Sequence, residues 1–325
     1  MTDAANQRTA SCQTVPMTVP FATSARSSVG VEWEIMLADG QSGDLVPRAP
    51  DVLATLEEKS ALERHTITGE LLTNTIEVTS GIGDTVAAVV DDIADAIADV
   101  REVTDPLGVE LLCAGSHPFA QWYDQQVTDK TRYHKLIERT QWWGRNMMIW
   151  GIHVHVGVDD VDKVFPIIGA LSAYLPHLQA LSASSPFWAG ERTGYASNRA
   201  MMFQQLPTAG LPFQFQTWHE FEAFVADQKT TGIIDHLNEI RWDIRPSLNL
   251  GTIGFQRLLR HPPSDVLGDI IPERSEVLSP NTPALEVAGT TLSYAELNAA
   301  ANRLAHHLVA AGQRCGVHLG DGCRR

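Results

Sequence analysis

Alternation of apolar and polar residues predicts several β-strands. Residues 29–37 read VGVEWEIML, in which alternate positions are apolar and the others carry Gly30, Glu32 and Glu34. A period of two is typical of a strand that buries one face. Residues 149–158 (IWGIHVHVGV) and 241–246 (RWDIRP) repeat this pattern, and residues 109–115 (VELLCAG) fit a buried strand.

A different period predicts helices between these strands. Residues 84–103 place apolar side chains at helical spacing, and Asp84 is expected to cap the helix start. A second helical stretch covers roughly residues 163–182. Strands and helices do not alternate regularly, and the sequence has neither a Gly-x-Gly-x-x-Gly motif nor a Walker loop, so a doubly wound nucleotide fold is disfavoured. We expect an α+β fold with an antiparallel sheet.

The polar positions of these strands hold chemically active side chains: Glu32 and Glu34; His153 and His155; Arg241, Asp243 and Arg245. The segment GELLTNTIEV adds Glu70 and Glu77, whose spacing of seven does not put them on one face of a straight strand. Any one of these segments alone is more often a solvated outer face or a surface ladder of charges than a site. If the strands share a sheet, their polar faces form one surface of carboxylates suited to Mg²⁺ or Mn²⁺ and arginines suited to phosphates or carboxylates. Zinc fits less well, because a third spaced imidazole or thiol ligand is not obvious.

The charge and composition of the chain limit the kinds of molecule that it is expected to bind. The chain has 24 Lys and Arg against 39 Asp and Glu, a net charge of −15, which disfavours nucleic acid as a partner. The four cysteines form no C-x-x-C pair, which fits a reducing cytosol, and no apolar stretch is long enough to span a bilayer. We therefore expect a cytoplasmic protein without a membrane partner. Residues 1–28 are expected to form a flexible tail rather than a signal peptide.

Longer blocks of sequence carry a family resemblance. They are VGVEWEIML, ELLTNTIEVTSG, ELLCAGSHPFAQW, RTQWWGRNMMIWGIHVHVG, GYASNRAMMFQQLPTAG and EIRWDIRPS. From about residue 29 to 253 the chain closely resembles the carboxylate–amine ligases, that is, the type 2 glutamate–cysteine ligases in their actinobacterial form. The resemblance implies a curved antiparallel sheet with helices on one face, like the catalytic domain of glutamine synthetase.

The same resemblance implies an ATP-dependent reaction with Mg²⁺ or Mn²⁺. The side-chain carboxylate of glutamate attacks the γ-phosphate of ATP, and the amino group of cysteine or a related amine attacks the resulting acyl phosphate. The implied partners are these small molecules, with a homo-oligomer left open. Carried over by position, the metal ligands are Glu32, Glu34, Glu70, Glu77 and His153.

The remaining implied site residues bind nucleotide and substrate. His155 and Arg245 would contact the nucleotide, with Arg245 also serving as a catalytic residue at the phosphates. Arg199, in GYASNRAMM, would hold the substrate carboxylate as the second catalytic residue. An ordinary structural salt bridge is an equally good interpretation of each arginine.

The chain departs from the family pattern after WDIRPS. Gly254 and Gln256 stand where the family has a metal-binding Glu and a phosphate-binding Arg, and the C-terminal third of the family does not follow. Residues 281–312 instead resemble the N-terminal edge of a nonribosomal peptide synthetase adenylation domain, with a hairpin expected to turn at Gly289. The predicted organisation is a tail (1–28), an incomplete ligase-like domain (29–255), a linker (256–282) and an adenylation-domain fragment (283–325).

Three functions remain compatible with the sequence. The first is an ATP-dependent ligase that forms a γ-glutamyl amide. The second is a catalytically impaired remnant that keeps the fold and nucleotide binding. The third is a metal-dependent hydrolase that uses His153 and His155, which the carboxylate-rich face disfavours because hydrolytic zinc sites rely on more imidazole.

Overall fold

The chain divides into two compact units, Met1–Arg260 and His261–Arg325. The computed structural model describes residues 18–257, 283–287 and 290–293. In the first unit the described strands are β1 (Val29–Asp39), β2 (Thr66–Gly69), β3 (Thr75–Thr79), β4 (Val109–Leu112), β5 (Ile152–Gly157), β6 (Phe187–Trp188), β7 (Glu191–Arg192), β8 (Ala209–Gly210), β9 (Arg241–Trp242), β10 (Ile244–Ser247) and β11 (Thr252–Arg257). The α-helices are α1 (Ala49–Glu58), α2 (Val86–Thr104), α3 (Thr131–Thr140), α4 (Trp142–Arg145), α5 (Val164–Ser172), α6 (Leu175–Ser182), α7 (Asn198–Phe203) and α8 (Trp218–Thr230).

Seven strands form one antiparallel sheet in the order β10-β11-β5-β1-β3-β2, with β4 paired to the C-terminal half of β1. Strand β1 is the centre of this sheet, because it pairs with β3, β4 and β5. The predicted α+β class and antiparallel sheet are therefore confirmed.

One face of the sheet is apolar and is covered by helices. Ile35 and Leu37 of β1 pack in a buried cluster with α1 and α2, to which Leu56 and Val100 contribute. Toward the other edge of the sheet, β10 and β11 pack against α5 and α8 in a second cluster that includes Phe221. Because strand side chains alternate between faces, this burial turns the intervening polar residues of β1 and β5 to the opposite face.

The helix boundaries differ in detail from the prediction. Thr85, not Asp84, caps α2, because its Oγ1 accepts the backbone N–H of Ala88 at 3.2 Å. The stretch expected as one helix over 163–182 is two helices, α5 and α6. Within the described part of the chain no single helix is long and apolar enough to cross a membrane, although a bent pair, Val161–Ser172 with Leu175–Ser182, passes together by length and composition only.

Two segments that carry predicted site residues are each divided between two strands. Glu70 follows the end of β2 and Glu77 lies in β3, so the chain reverses between them. The segment 241–246 is divided into β9, which pairs in parallel with β8, and β10, which joins the main sheet. Asp243 lies between them, and its backbone N–H donates to the carbonyl of Gly210 at 2.8 Å.

The folded part of the first unit begins before residue 29. Val19 is buried, and its N–H donates to Glu222 Oε1 of α8 at 2.9 Å. Ala22 donates to the carbonyl of Leu248 at 2.8 Å. Residues 18–28, predicted as part of a flexible tail, thus attach to α8 and to the ends of the central strands.

In the second unit the described residues are β12 (Pro283–Val287) and β13 (Thr290–Ser293), which pair antiparallel as the predicted hairpin. Its expected turn residue, Gly289, lies outside the described residues. So do residues 258–282 of the predicted linker, whereas residues 256 and 257 belong to β11.

Candidate functional site

The polar face of the sheet brings several predicted site residues together. In the β1–β5 pair Glu32 lies opposite His153, and in the β1–β3 pair Glu34 lies opposite Glu77. These four side chains line a cleft of about 580 Å³ on the sheet face that the core helices leave uncovered. Ligand atoms of Glu32, Glu77 and His153 lie within 4.8 Å of one another.

Glu32 is held by two imidazoles. Nδ1 of His153 lies 3.1 Å from Glu32 Oε2, and Nε2 of His155 lies 3.4 Å from Glu32 Oε1. Burial acts to raise the pKa of Glu32, but the hydrogen bonds from His153 and His155 outweigh it and hold that pKa well below its usual range. Glu32 is therefore a carboxylate at neutral pH and can only accept hydrogen bonds.

His153 is left with one nitrogen free. Burial lowers the pKa of His153 to about 4, so its ring is neutral at pH 7. Because Glu32 can only accept, the ring proton lies on Nδ1 and Nε2 keeps its lone pair. Nε2 is buried and has no hydrogen-bond partner among the described residues.

Glu34 and Glu77, which also line the cleft, are less stable in their charged form than an exposed carboxylate. Burial, together with the nearby Glu70, raises the pKa of Glu34 to about 8. Burial and the charges of Glu70 and Glu34 raise the pKa of Glu77 to about 9. A bound cation would reverse both effects, because it favours the charged form of each carboxylate.

These features fit a hard divalent cation. Glu32 and Glu77 offer carboxylate oxygens, which suit Mg²⁺ and Mn²⁺. His153 belongs to the same group, and its Nε2 has no hydrogen-bond partner among the described residues. The hydrogen bond from His153 Nδ1 to Glu32 fixes the orientation of the ring, as is usual for a metal-binding histidine. Glu34 and Glu70 line the cleft but lie outside this tight group.

The two arginines predicted as site residues, Arg199 and Arg245, lie on the same cleft. Arg199, at the start of α7, is only 7% exposed, and its Nε donates to the carbonyl of Trp150 at 2.7 Å. Its Nη2 is buried without a hydrogen-bond partner in the described ranges. Arg245 of β10 donates from Nη1 to the carbonyl of Trp242 at 3.0 Å. Burial lowers the pKa of both guanidinium groups, opposed by the neighbouring Glu34 in each case.

Helix α3 forms one wall of the cleft. The sequence pattern did not lead us to predict this wall. Tyr133 donates its hydroxyl hydrogen to Glu70 Oε2 at 3.1 Å, and Arg132 forms an ion pair with Glu70 Oε1 at 3.6 Å. Glu70 thus contacts α3. The signal that could have indicated this wall is the recurrence of Arg132, Lys135 and Arg139 along one side of α3.

His155 is placed differently from His153. Its Nδ1 lies 2.9 Å from Thr252 Oγ1, and its Nε2 contacts Glu32, so both ring nitrogens have partners. It is not among the residues that line the cleft. Gly254 lies directly opposite His155 in the β5–β11 pair, and a Cβ atom at Gly254 would approach His155 Cε1 to 3.1 Å.

The polar face of this antiparallel sheet thus presents carboxylates, imidazole and arginines together, a set of side chains that suits a divalent cation and an anion. The chain belongs to glutamate–cysteine ligase family 2, whose sequence profile matches residues 28–259. It is 60% identical over 233 residues to a protein named as a candidate glutamate–cysteine ligase 2 from Leifsonia xyli subsp. xyli, covering 72% of this chain and 62% of that protein. A similarly named protein of Mycobacterium ulcerans is 59% identical over 235 residues, covering 72% of this chain and 59% of that protein. The chain thus spans about 60% of the length of the curated relatives it matches.

Solved structures share the fold at low sequence identity. A glutamate–cysteine ligase from Francisella tularensis, in complex with AMP, superposes with a TM-score of 0.53 at 14% identity, covering 74% of this chain and 62% of that one. A bifunctional glutathione synthetase from Pasteurella multocida gives a TM-score of 0.52 at 13% identity, covering 72% of this chain and 35% of that one. At these identities the likeness concerns the fold alone.

Proposed function

We propose that the first unit carries the catalytic site of an ATP-dependent ligase. It would join the side-chain carboxylate of glutamate to the amino group of cysteine or a related amine. The observation that carries the proposal is the Glu32–Glu77–His153 group, which lines the cleft together with the buried Arg199 and the half-buried Arg245 in a chain of glutamate–cysteine ligase family 2. The membership supports a ligase-type activity, and the cluster supports the use of Mg²⁺ or Mn²⁺.

The proposed reaction has two bond-forming steps. A carboxylate oxygen of glutamate attacks the γ-phosphorus of ATP, and ADP leaves with the electron pair of the broken P–O bond. The amine nitrogen then attacks the acyl carbon, the C–O bond to phosphate breaks, and the amine loses a proton as the amide forms. Mg²⁺ held by Glu32, Glu77 and His153 would neutralise charge on the phosphates when bound.

The protein side chains orient substrates and supply fixed charge. Arg199 would hold the substrate carboxylate, because its buried Nη2 lacks a partner within the described part of the chain and a carboxylate satisfies a guanidinium with two hydrogen bonds. Arg245 lines the same cleft, and a phosphate oxygen there would accept from its guanidinium. The neighbouring charges of Glu32 and Asp243 favour the charged form of Arg245. Arg132 and Tyr133 of α3 would shape the opposite wall.

One observation favours a second candidate, a remnant that binds nucleotide without turnover. Gly254 offers no side chain at the position where the family pattern has a metal-binding Glu, and Gln256 replaces an Arg. Loss of a preorganised charged contact of this kind costs about 10²- to 10³-fold in rate, by analogy with oxyanion-hole donors. The hydrolase candidate is weaker, because both ring nitrogens of His155 contact protein groups and only His153 offers a free one.

Phosphate release tests the ligase proposal. Purified protein is incubated with ATP, Mg²⁺, glutamate and cysteine, and with each amino acid omitted in turn. We expect phosphate above background only when both amino acids are present, and we expect Glu32→Ala to abolish it. Glu57→Ala serves as a matched control, because Glu57 is an exposed carboxylate on α1, on the other side of the sheet.

The outcomes separate the candidates. Mg²⁺-dependent ATP binding that disappears in Glu32→Ala, without phosphate release at any enzyme concentration, favours the remnant. Amide hydrolysis without ATP, activated by zinc, favours the hydrolase. If ATP affinity is the same in wild type and Glu32→Ala, Glu32 is not a metal ligand and the ligase proposal is wrong in its central feature.

A further inference from the structure

A chain of buried hydrogen bonds runs beneath the cleft and ends at Arg199. Nε of Arg199 donates to the carbonyl of Trp150 at 2.7 Å. The indole Nε1 of Trp150 donates to Oγ1 of Thr75 at 2.7 Å, and Thr75 Oγ1 donates to Oδ1 of Asn74 at 2.8 Å. Asn74 Nδ2 in turn donates to Gln125 Oε1 at 2.7 Å. Trp150, Thr75 and Asn74 are each at most 3% exposed.

The fold places Thr75 where it can serve the site. Thr75 begins β3, two residues before Glu77, so both side chains point from the polar face of the sheet. Trp150 comes just before β5, the strand that carries His153. Thr75 and Trp150 also line the cleft, so their hydrogen bond lies between the strand of Glu77 and the segment that leads to His153.

Trp150 is fixed at three atoms. Its indole nitrogen donates to Thr75, its backbone nitrogen donates to the carbonyl of Gly115 at 3.2 Å, and its own carbonyl accepts from Arg199. The hydrogen bonds from the indole and backbone N–H groups hold Trp150 in place. Its carbonyl oxygen in turn orients the guanidinium of Arg199. Arg199 has few other restraints, since its Nη2 is without a partner among the residues described and its guanidinium carbon lies 5.5 Å from the ring centre of Phe203.

We propose that Thr75 is a positioning residue for Arg199, acting through Trp150. Its hydroxyl accepts the indole N–H and thereby keeps the Trp150 carbonyl where it orients the guanidinium toward the cleft. The proposal rests on the proposed function in one respect, namely that the group Arg199 holds is the carboxylate of an amino-acid substrate.

The chemical reason is that the Thr75 hydroxyl is the acceptor that the described residues provide for the indole N–H of Trp150. Without the Thr75 hydroxyl, Trp150 Nε1 is a buried donor with no acceptor, which the protein relieves by turning the indole or admitting water. Either change displaces the backbone of Trp150 and loosens Arg199. A Ser at position 75 keeps the hydroxyl, whereas a Val keeps the shape and removes it.

The structure provides a matched control for this substitution. Thr104, at the end of α2, is also fully buried, and its Oγ1 makes no hydrogen bond within the described residues. Thr104→Val therefore makes the same chemical change in the core without breaking a hydrogen bond. Thr104 belongs to α2, which packs on the apolar side of the sheet, and it does not line the cleft.

A double-mutant cycle tests whether Thr75 acts through Arg199. The dissociation constant of glutamate is measured calorimetrically with Mg²⁺ and a non-hydrolysable ATP analogue for wild type, Thr75→Val, Arg199→Lys and the double variant. We expect Thr75→Val to weaken glutamate binding about tenfold, as the loss of one net hydrogen bond predicts. We expect Thr75→Ser and Thr104→Val to bind like wild type.

The double variant decides between positioning and general stability. If Thr75 acts through Arg199, Thr75→Val should weaken binding less than about twofold once Lys replaces Arg199, because coupled residues are not additive. If Thr75→Val weakens binding by the same factor in both backgrounds, the proposal is overturned. Glutamate affinity equal to wild type in Thr75→Val also overturns it.

A second readout does not depend on the substrate. Should the wild-type chain bind no glutamate, the proposed function fails, and hydrogen exchange of the Arg199 Nε–H, observed by NMR, still tests the coupling. We expect exchange at least about tenfold faster in Thr75→Val than in Thr75→Ser, because the hydrogen bond to the Trp150 carbonyl opens more often. Equal exchange in the two variants refutes the positioning role.

Discussion

Replacing Glu77 by Gln should stabilise the metal-free protein at alkaline pH. The pKa of Glu77 is raised from its ordinary value of 4.5 to about 9 by burial and by the nearby Glu70 and Glu34. Between these two pH values the folded protein holds a proton that the unfolded chain has released. Stability from this group is therefore complete below pH 4.5 and is lost as the pH rises toward 9.

The size of this stability difference depends on how far the pKa of Glu77 in the folded protein lies above that in the unfolded chain. Each pH unit inside it lowers the free energy of unfolding by up to about 1.4 kcal/mol, so the loss at pH 8 amounts to about 3–5 kcal/mol. A Gln side chain does not titrate. The Glu77→Gln variant should thus exceed wild type by about 3–5 kcal/mol at pH 8 and by less than about 1 kcal/mol at pH 5.

Urea denaturation in the presence of EDTA at pH 5, 6.5 and 8 measures this difference. Glu57→Gln is the control, since it removes an exposed carboxyl on the far side of the sheet. Saturating Mg²⁺ at pH 8 should then stabilise wild type and leave Glu77→Gln almost unchanged, because the variant has lost a ligand. A stability difference that does not vary with pH, or a variant less stable than wild type at pH 8, would refute the reasoning.

Three further predictions concern proton release, backbone packing and the core. Mg²⁺ binding at pH 8 should release protons from Glu34 and Glu77, because both pKa values are raised. The heat of binding measured by calorimetry should therefore change with the ionisation enthalpy of the buffer. The same heat in every buffer would contradict the raised pKa values. Gly251→Ala should cost about 2–4 kcal/mol in urea unfolding, because Gly251 has φ +61° and an added Cβ would lie 2.3 Å from the carbonyl oxygen of Ala22. Gly190→Ala should cost only about 1 kcal/mol, because Gly190 also has a positive φ but has open space around it, and equal costs would argue against the packing of residues 18–28. Phe221→Ala should cost about 3–5 kcal/mol, and a loss below about 1 kcal/mol would show that α8 does not pack as described.

The strand pattern predicted the core of the site because a period of two fixes the face of each side chain. Glu32 and Glu34 had to share one face of β1, and His153 and His155 had to share one face of β5. The pairing of the strands then places Glu32 beside His153. The local pattern does not determine which residue of a neighbouring strand lies opposite a given residue, however. His155 is paired with Gly30 and turns to Thr252 and Glu32 rather than into the cleft.

Chain reversals and packing between distant segments were beyond the local pattern. Glu70 and Glu77 were judged against a straight strand, but a turn between β2 and β3 brings both to one cleft. The spacing of Arg132, Lys135 and Arg139 indicates a basic side of α3, but it does not indicate that this side faces the cleft, because that depends on how the helix packs against distant segments. The same holds for residues 18–28, whose polar composition suggested a tail but whose backbone bonds to α8 and the central strands.

The location of a bound Mn²⁺ ion tests the central claim most directly. Anomalous scattering from crystals soaked with Mn²⁺ identifies the ion without assuming any activity. Our account predicts one strong peak on the polar face of the sheet, about 2.1–2.3 Å from a carboxylate oxygen of Glu32, an oxygen of Glu77 and Nε2 of His153. A peak elsewhere, or an empty cluster in a crystal that binds Mn²⁺ at another position, would contradict it.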